Sequence, residues 1–130
     1  SYSDMPINHK VFLAQFDAIK KLAERESCVI IGRCADYALE DNPYAMSIYI
    51  KADMDKRVKR IMTKYQLNES KASDMIQKED KRRASYYNYY SSKKWGDAKS
   101  YDLCLDSGKL GVEGSIELIK DFIALREKNF

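Results

Sequence analysis

The sequence predicts an α/β domain built on a small parallel sheet, and three observations carry that expectation. Short apolar runs at Cys28–Ile31, Ala45–Ile50 and Tyr101–Leu105 have the length of strands. Helical patterns separate the runs, giving the order α-β-α-β-α-α-β-α. Strands that alternate with helices pair in parallel through right-handed crossovers.

The elements follow in order. Pro6 opens a helical pattern that continues to about Arg25, with Val11, Ala14, Phe16, Ala18, Ile19, Leu22 and Ala23 as its apolar face. Cys28-Val29-Ile30-Ile31, closed by Gly32, is apolar on both alternating faces and reads as a strand covered from both sides. A short helix is expected over Ala35–Leu39, ended by the Asp41-Asn42-Pro43 turn. After the second strand, Asp53 caps a helix with Val58, Ile61 and Met62 inward and Lys56, Arg57, Lys59 and Arg60 outward. Asn68 caps a longer helix that runs to about Tyr90, and Ser91–Ser100 is a polar loop. The third strand is followed by a turn at Asp106-Ser107-Gly108 and a closing amphipathic helix over Val112–Leu125. Three strands make a small sheet. Together with the abrupt start at Ser1, they lead us to expect that a first strand and its helix are absent from this chain.

Bulk properties narrow the function. A chain of 130 residues suits one domain. Its 33% charge and mean hydropathy of −0.58 leave no apolar run approaching the ~20 residues of a membrane span. Cys28, Cys34 and Cys104 lack CxxC spacing and read as small buried hydrophobes in a reducing, cytoplasmic setting. His9 is the single histidine, so Ser-His-Asp and Cys-His schemes lack material. No metal-ligand spacing occurs, and no G-x-x-x-x-G-K-[ST] phosphate loop.

The positive charge is concentrated. Residues 78–99 hold seven basic and three acidic side chains, a net +4 in a chain whose total is +3. Such a segment calls for an anionic partner. At helical spacing, Asp80, Arg83, Tyr87 and Tyr90 share one face, and Arg82, Tyr86, Tyr89 and Lys93 another. A binding face would use the arginines on phosphate oxygens and Asp80 on sugar hydroxyls. The plainer alternative packs the tyrosines and leaves the charges solvated. Arg33, just past the first strand, sits where open α/β sheets bind ligands and can grip a phosphate bidentately, or can pair with Asp36.

In this order, Ile30-Ile31-Gly32-Arg33, Asp80-x-x-Arg83 in a basic lid, and a last strand running into Asp106-Ser107 resemble the cytidylate kinases. The closer similarity is to the cytidylate kinase-like proteins, whose lid reads D-K-R-R-A-x-Y-Y and then K-W-G-D. The resemblance implies a P-loop NTPase-like three-layer αβα fold, here without its N-terminal strand and phosphate loop. Residues 1–130 would form one kinase-like domain, with a lid-like helical insertion over 67–99. It also implies a nucleotide kinase that uses ATP and Mg²⁺ and transfers the γ-phosphoryl group to a nucleoside monophosphate or similar small acceptor. By position, Arg33 would contact the acceptor, Asp80 the ribose hydroxyls, and Arg83 the transferring phosphoryl group. Lys81 and Arg82 would neutralise donor phosphates, and Ser107, Gly108 and Lys109 would lie near the donor base. No metal ligand is assigned.

Three positions depart from the cytidylate kinase pattern: Ile76 replaces an arginine, and Ile31 and Cys34 replace aspartates. They leave the acceptor open. Without the phosphate loop, negligible turnover is expected of this chain alone. Two other classes stay in view, a binding module for single-stranded nucleic acid or another polyanion and a regulatory or scaffold relative. Nucleic acid is the weaker partner, because a net +3 is mild and Asp80 interrupts the basic run. An apolar edge left by an absent strand would favour a homodimer.

Overall fold

The fold is mixed α/β, dominated by helix, in a computed structural model that describes residues 5–130, with side chains from position 9 onward. The chain divides into two units, Ser1–Ala45 and Met46–Phe130.

In the first unit, α1 (Met5–Arg25) and α2 (Ala35–Ala38) pack together. Phe12 and Ile19, seven residues apart, are buried on α1. Phe16 lies between them in sequence, with its ring 5.7 Å from Phe12 and 5.8 Å from Tyr37. The apolar face is therefore narrower than the sequence suggested, and Val11, Ala14, Ala18 and Leu22 are exposed.

The expected strand at Cys28–Ile31 does not form. Val29 is 92% exposed and Ile31 88%, and no ladder involves these residues. A β-branched run becomes a strand only when a neighbour takes up its backbone N–H and C=O groups. The described remainder of this unit is helix and turn. The cysteines also need correcting: Cys34 is buried, but Cys28 and Cys104 are exposed. Burial, with the Asp36 charge adding to it, pushes the Cys34 thiol up to about 12. That thiol stays protonated and inert at neutral pH.

The second unit is built on two parallel strands, β1 (Ile48–Lys51) and β2 (Leu103–Asp106), in register from Ile48 opposite Leu103 to Lys51 opposite Asp106. Each begins or ends a residue or more later than the sequence indicated. Just before β1, the Ser47 N–H donates to Asp102 Oδ2 at 2.9 Å, while the Asp102 N–H donates to the Ser47 carbonyl at 2.9 Å. This clasp fixes where the ladder starts.

The long connection between the strands carries α3 (Met54–Tyr65), α4 (Glu69–Ser91) and a 3-10 turn at Ala98–Ser100. Asp53 stands at the N-cap of α3 without a side-chain capping bond. Gln66, at φ 55°, ends α3, and Asn68 Oδ1 caps α4 by accepting the Lys71 N–H at 2.8 Å. The two helices close on Val58, Ala72 and Ile76, with Ile61, Met62 and Leu67 around them. Ala72 is fully buried, and its small side chain lets the helices approach closely.

Asp106 caps α5 (Ser107–Glu127), accepting the N–H groups of Gly108 at 3.0 Å and Lys109 at 3.2 Å. Gly111, at φ 73° and ψ 173°, breaks α5 into one short turn and a long helix. The turn expected at 106–108 is thus a capped helical turn, and the expected helix from Val112 is the longer piece.

Ile76 is 4% exposed at the centre of the α3–α4 contact. Truncating it leaves a cavity that two helices joined at one end cannot close completely. Ile76→Ala should lower the free energy of unfolding by about 2–4 kcal/mol, measured by urea denaturation followed by circular dichroism. A loss below about 1 kcal/mol would mean that this pair of helices does not carry the unit's stability.

Candidate functional site

At the carboxyl ends of β1 and β2 lies a groove of about 480 Å³. Helix α3 forms one wall through Lys56, Arg57, Arg60, Ile61, Lys64 and Tyr65, and α4 the other through Met75, Ile76, Glu79 and Arg83. Ile50, Lys51 and Ala52, with Ser107 and Gly108, close the end next to the strands. The sequence builds the first wall by periodicity. Lys56, Arg60 and Lys64 recur every four residues along one stripe of α3, while Val58 and Met62 face α4.

Six cationic side chains line this groove against one carboxylate, and that carboxylate is engaged: Arg82 Nη2 donates to Glu79 Oε2 at 2.5 Å. Cations converging on a partly apolar cleft focus a positive potential and favour an anion. The apolar surfaces of Ile50, Ile61, Tyr65, Met75 and Ile76 suit a ligand that is not purely ionic.

One ion pair ties the two walls. Arg57 donates from Nη1 to Asp80 Oδ2 at 2.8 Å and from Nη2 to Oδ1 at 2.6 Å. Arg83 Nη1 adds a longer bond to the same Oδ1 at 3.3 Å. The Asp80 hydrogen bonds hold the Arg57 guanidinium above its ordinary pKa, against the opposing effect of burial. Arg57 therefore does not point outward with its neighbours, as expected from sequence. The bidentate geometry selects a guanidinium over an ammonium at this position.

At the strand end, Lys56 Nζ donates to the Gly108 carbonyl at 2.6 Å, and Ser107 Oγ donates to the Lys51 carbonyl at 3.3 Å. Gly108 leaves little room. A Cβ there would lie 3.0 Å from Lys56 Cδ, 3.1 Å from Asp106 Oδ1 and 3.3 Å from Ala52 Cβ.

Behind α4, aromatic rings anchor the end of that helix and the loop after it to the sheet. Tyr49 stacks on Tyr101 at 4.9 Å and meets the edge of Trp95 at 5.6 Å, and Tyr101 stacks on Tyr87 at 6.1 Å. The Trp95 N–H donates to Asn88 Oδ1 at 2.7 Å, and the Gly96 N–H to Tyr101 Oη at 3.1 Å. Gly96 has φ 83°, and a Cβ there would approach Tyr49 Oη to 3.2 Å. Burial, then the Asp80 charge, raises the pKa of the Tyr49 phenol. Tyr87 and Tyr90 are buried while Tyr89 is half exposed, so most of the tyrosines pack.

The structure gathers some of the sequence candidates and separates others. Arg83, Ser107 and Gly108 line the groove, and Asp80 reaches it through Arg57. Lys81, Arg82 and Lys109 are exposed and outside its lining. Arg33 belongs to the first unit, exposed and held at φ 60° between Gly32 at φ 70° and Cys34 at φ 54°. Consecutive left-handed residues are uncommon outside glycine and fix the direction of this turn. Sequence reasoning missed Lys51, Lys56, Arg57, Arg60 and Lys64. The four-residue spacing of Lys56, Arg60 and Lys64 is the signal that could have revealed them.

A parallel-sheet α/β unit with a cationic groove at its strand ends is consistent with a kinase-like fold. The sequence pattern of the cytidylate kinase-like family matches residues 1–109, and the chain belongs to that family. A crystal structure of an uncharacterized protein from Eubacterium ventriosum ATCC 27560 is similar, with a TM-score of 0.86 and 37% identity. That similarity covers 95% of this chain and 74% of the other. No curated protein matches the chain.

Gly108→Ala sets two stability effects against each other. Crowding costs about 1–3 kcal/mol and helix propensity returns up to about 1 kcal/mol. The melting temperature should therefore fall only slightly, while displacement of Lys56 weakens binding of inorganic pyrophosphate about fivefold by calorimetry. Unchanged affinity would separate Lys56 from the anion site.

Proposed function

We propose that the protein is a nucleotide kinase of P-loop NTPase-like, three-layer αβα architecture. It transfers the γ-phosphoryl group of ATP to a nucleoside monophosphate or a similarly small acceptor. The observation that carries this reading is the groove lined by Lys51, Lys56, Arg57, Arg60, Lys64 and Arg83 at the carboxyl ends of the strands. Membership of the cytidylate kinase-like family supports it.

Phosphoryl transfer asks a protein mainly to position two groups and to offset charge on the phosphate oxygens. In this reading residues 1–130 act as one domain, and the helical insertion over 67–99 is its lid. Arg83, on the lid wall, meets the transferring phosphoryl group. Lys56, Arg57 and Arg60 hold the polyphosphate, Ser107 and Gly108 border the donor, and Arg33 meets the acceptor. Lys81, Arg82 and Lys109 lie outside the groove lining and serve as a diffuse positive surround.

The residues fit a polyphosphate by charge. Among the described residues, no cluster of three or more His, Cys, Asp or Glu side chains is arranged to hold an ion. Magnesium would therefore enter largely on the phosphates, as it commonly does in kinases, and would supply charge neutralisation there. No G-x-x-x-x-G-K-[ST] sequence occurs in these 130 residues, so the activity is proposed for the chain acting with a phosphate-cradling loop.

The protein assayed as its natural full chain should release ADP from ATP in a Mg²⁺-dependent reaction with at least one nucleoside monophosphate. Arg83→Ala should reduce that rate about 100-fold or more. No ADP release with any common nucleoside monophosphate, alongside salt-sensitive oligonucleotide binding, would replace the kinase with a polyanion-binding module.

A further inference from the structure

The geometry points to Asp80 as a positioning residue for the phosphate site, one that acts through Arg57 and Arg83 and not by holding sugar hydroxyls. This deepens the kinase reading and rests on it. Both Asp80 oxygens are occupied by guanidinium groups: Oδ2 by Arg57 at 2.8 Å, and Oδ1 by Arg57 at 2.6 Å and Arg83 at 3.3 Å. Arg57 and Arg83 line the groove, whereas Asp80 does not. The carboxylate thus sits beneath two arginines from different helices and joins them.

The chemistry of guanidinium explains why this matters. A planar fork locked on one edge by a carboxylate has its rotation stopped, and its remaining N–H donors are free for a second anion. An arginine left loose must give up considerable rotamer freedom each time a ligand binds. One held in advance gives up less. Asp80 also offsets part of the repulsion between Arg57 and Arg83, which allows both to stand in one groove.

The opposing expectation is definite. If Asp80 mattered only as a negative charge near an anion site, its removal would tighten anion binding. If it held ribose, its removal would be felt only by ligands with sugar hydroxyls. Asp80→Asn, Asp80→Glu and the unmodified chain are titrated by calorimetry at about 0.15 M salt, where charges more than about 8 Å apart are largely screened. The probes are inorganic tripolyphosphate, a nucleoside monophosphate and its 2′,3′-dideoxy analogue.

Positioning predicts that Asp80→Asn binds tripolyphosphate about tenfold more weakly. Asp80→Glu should recover most of that loss, and preference for the ribose form over its dideoxy analogue should not change. Tighter or unchanged tripolyphosphate binding in Asp80→Asn overturns the inference, as does selective loss of the ribose preference. In the unmodified chain, ¹⁵N spectra should show slowly rotating Arg57 guanidinium N–H signals. Their averaging into one line also overturns it, whether or not the variants fold. Failure of the unmodified chain to bind tripolyphosphate at all removes the phosphate site itself. Loss of binding in Arg83→Ala with no change in Asp80→Asn removes only the positioning role.

Discussion

The Arg57–Asp80 pair is the interaction on which the second unit's site depends. It crosses from α3 to α4 with two short bonds, at side-chain exposures of 31% and 24%. Hydrogen bonds between charged groups in such half-buried settings contribute about 1.5–3 kcal/mol, less than the Val58–Ala72–Ile76 core beside them. Its larger effect is geometric. The core sets the distance between the helices, and the ion pair sets which way their cationic side chains stand.

Bringing six cations into one cleft has a cost. Like charges a few ångströms apart repel by about 1 kcal/mol even in water, and more where water is partly excluded. One carboxylate pairs with groove cations and moderates this, Asp80 under Arg57 and Arg83, whereas Glu79 is engaged by Arg82 outside the lining. The Gly108 carbonyl receives Lys56. The remaining positive charge faces the groove, at the strand ends where α/β sheets place ligands. A bound polyphosphate would relieve that repulsion. The stack of Tyr49, Tyr101 and Tyr87 packs α4 against the sheet from behind.

Much of this was legible in the sequence, and the losses have physical reasons. Asn68 marked the start of α4, and the 3.6-residue pattern marked the long piece of α5 from Val112, because capping and periodicity are local; the Asp106 cap read only as a turn. The pairing of β1 with β2 followed from strands alternating with helices. Cys28–Ile31 misled because β-branched composition signals a strand only where a ladder partner exists, and partners are not local. Arg83 stood out by its helical spacing with Asp80, and Ser107 and Gly108 by following the last strand, while the family resemblance gave them their expected roles. Arg57 was missed because the same stripe of lysines and arginines reads as a solvated face until α4 is placed across from it. Ile76 replaces a patterned arginine and lies in the core, a change whose meaning appears only when the two helices are seen together.

Locating a bound phosphate mimic by crystallography would test the central claim most directly. Crystals of the chain soaked in tungstate, a tetrahedral oxyanion with strong anomalous scattering, should show their highest peak in the groove, within hydrogen-bonding reach of Arg57 and Arg83, with the Arg57–Asp80 bonds intact. A highest peak elsewhere, or a groove peak in which Arg57 has left Asp80, would contradict the assignment of this groove as a preset phosphate site.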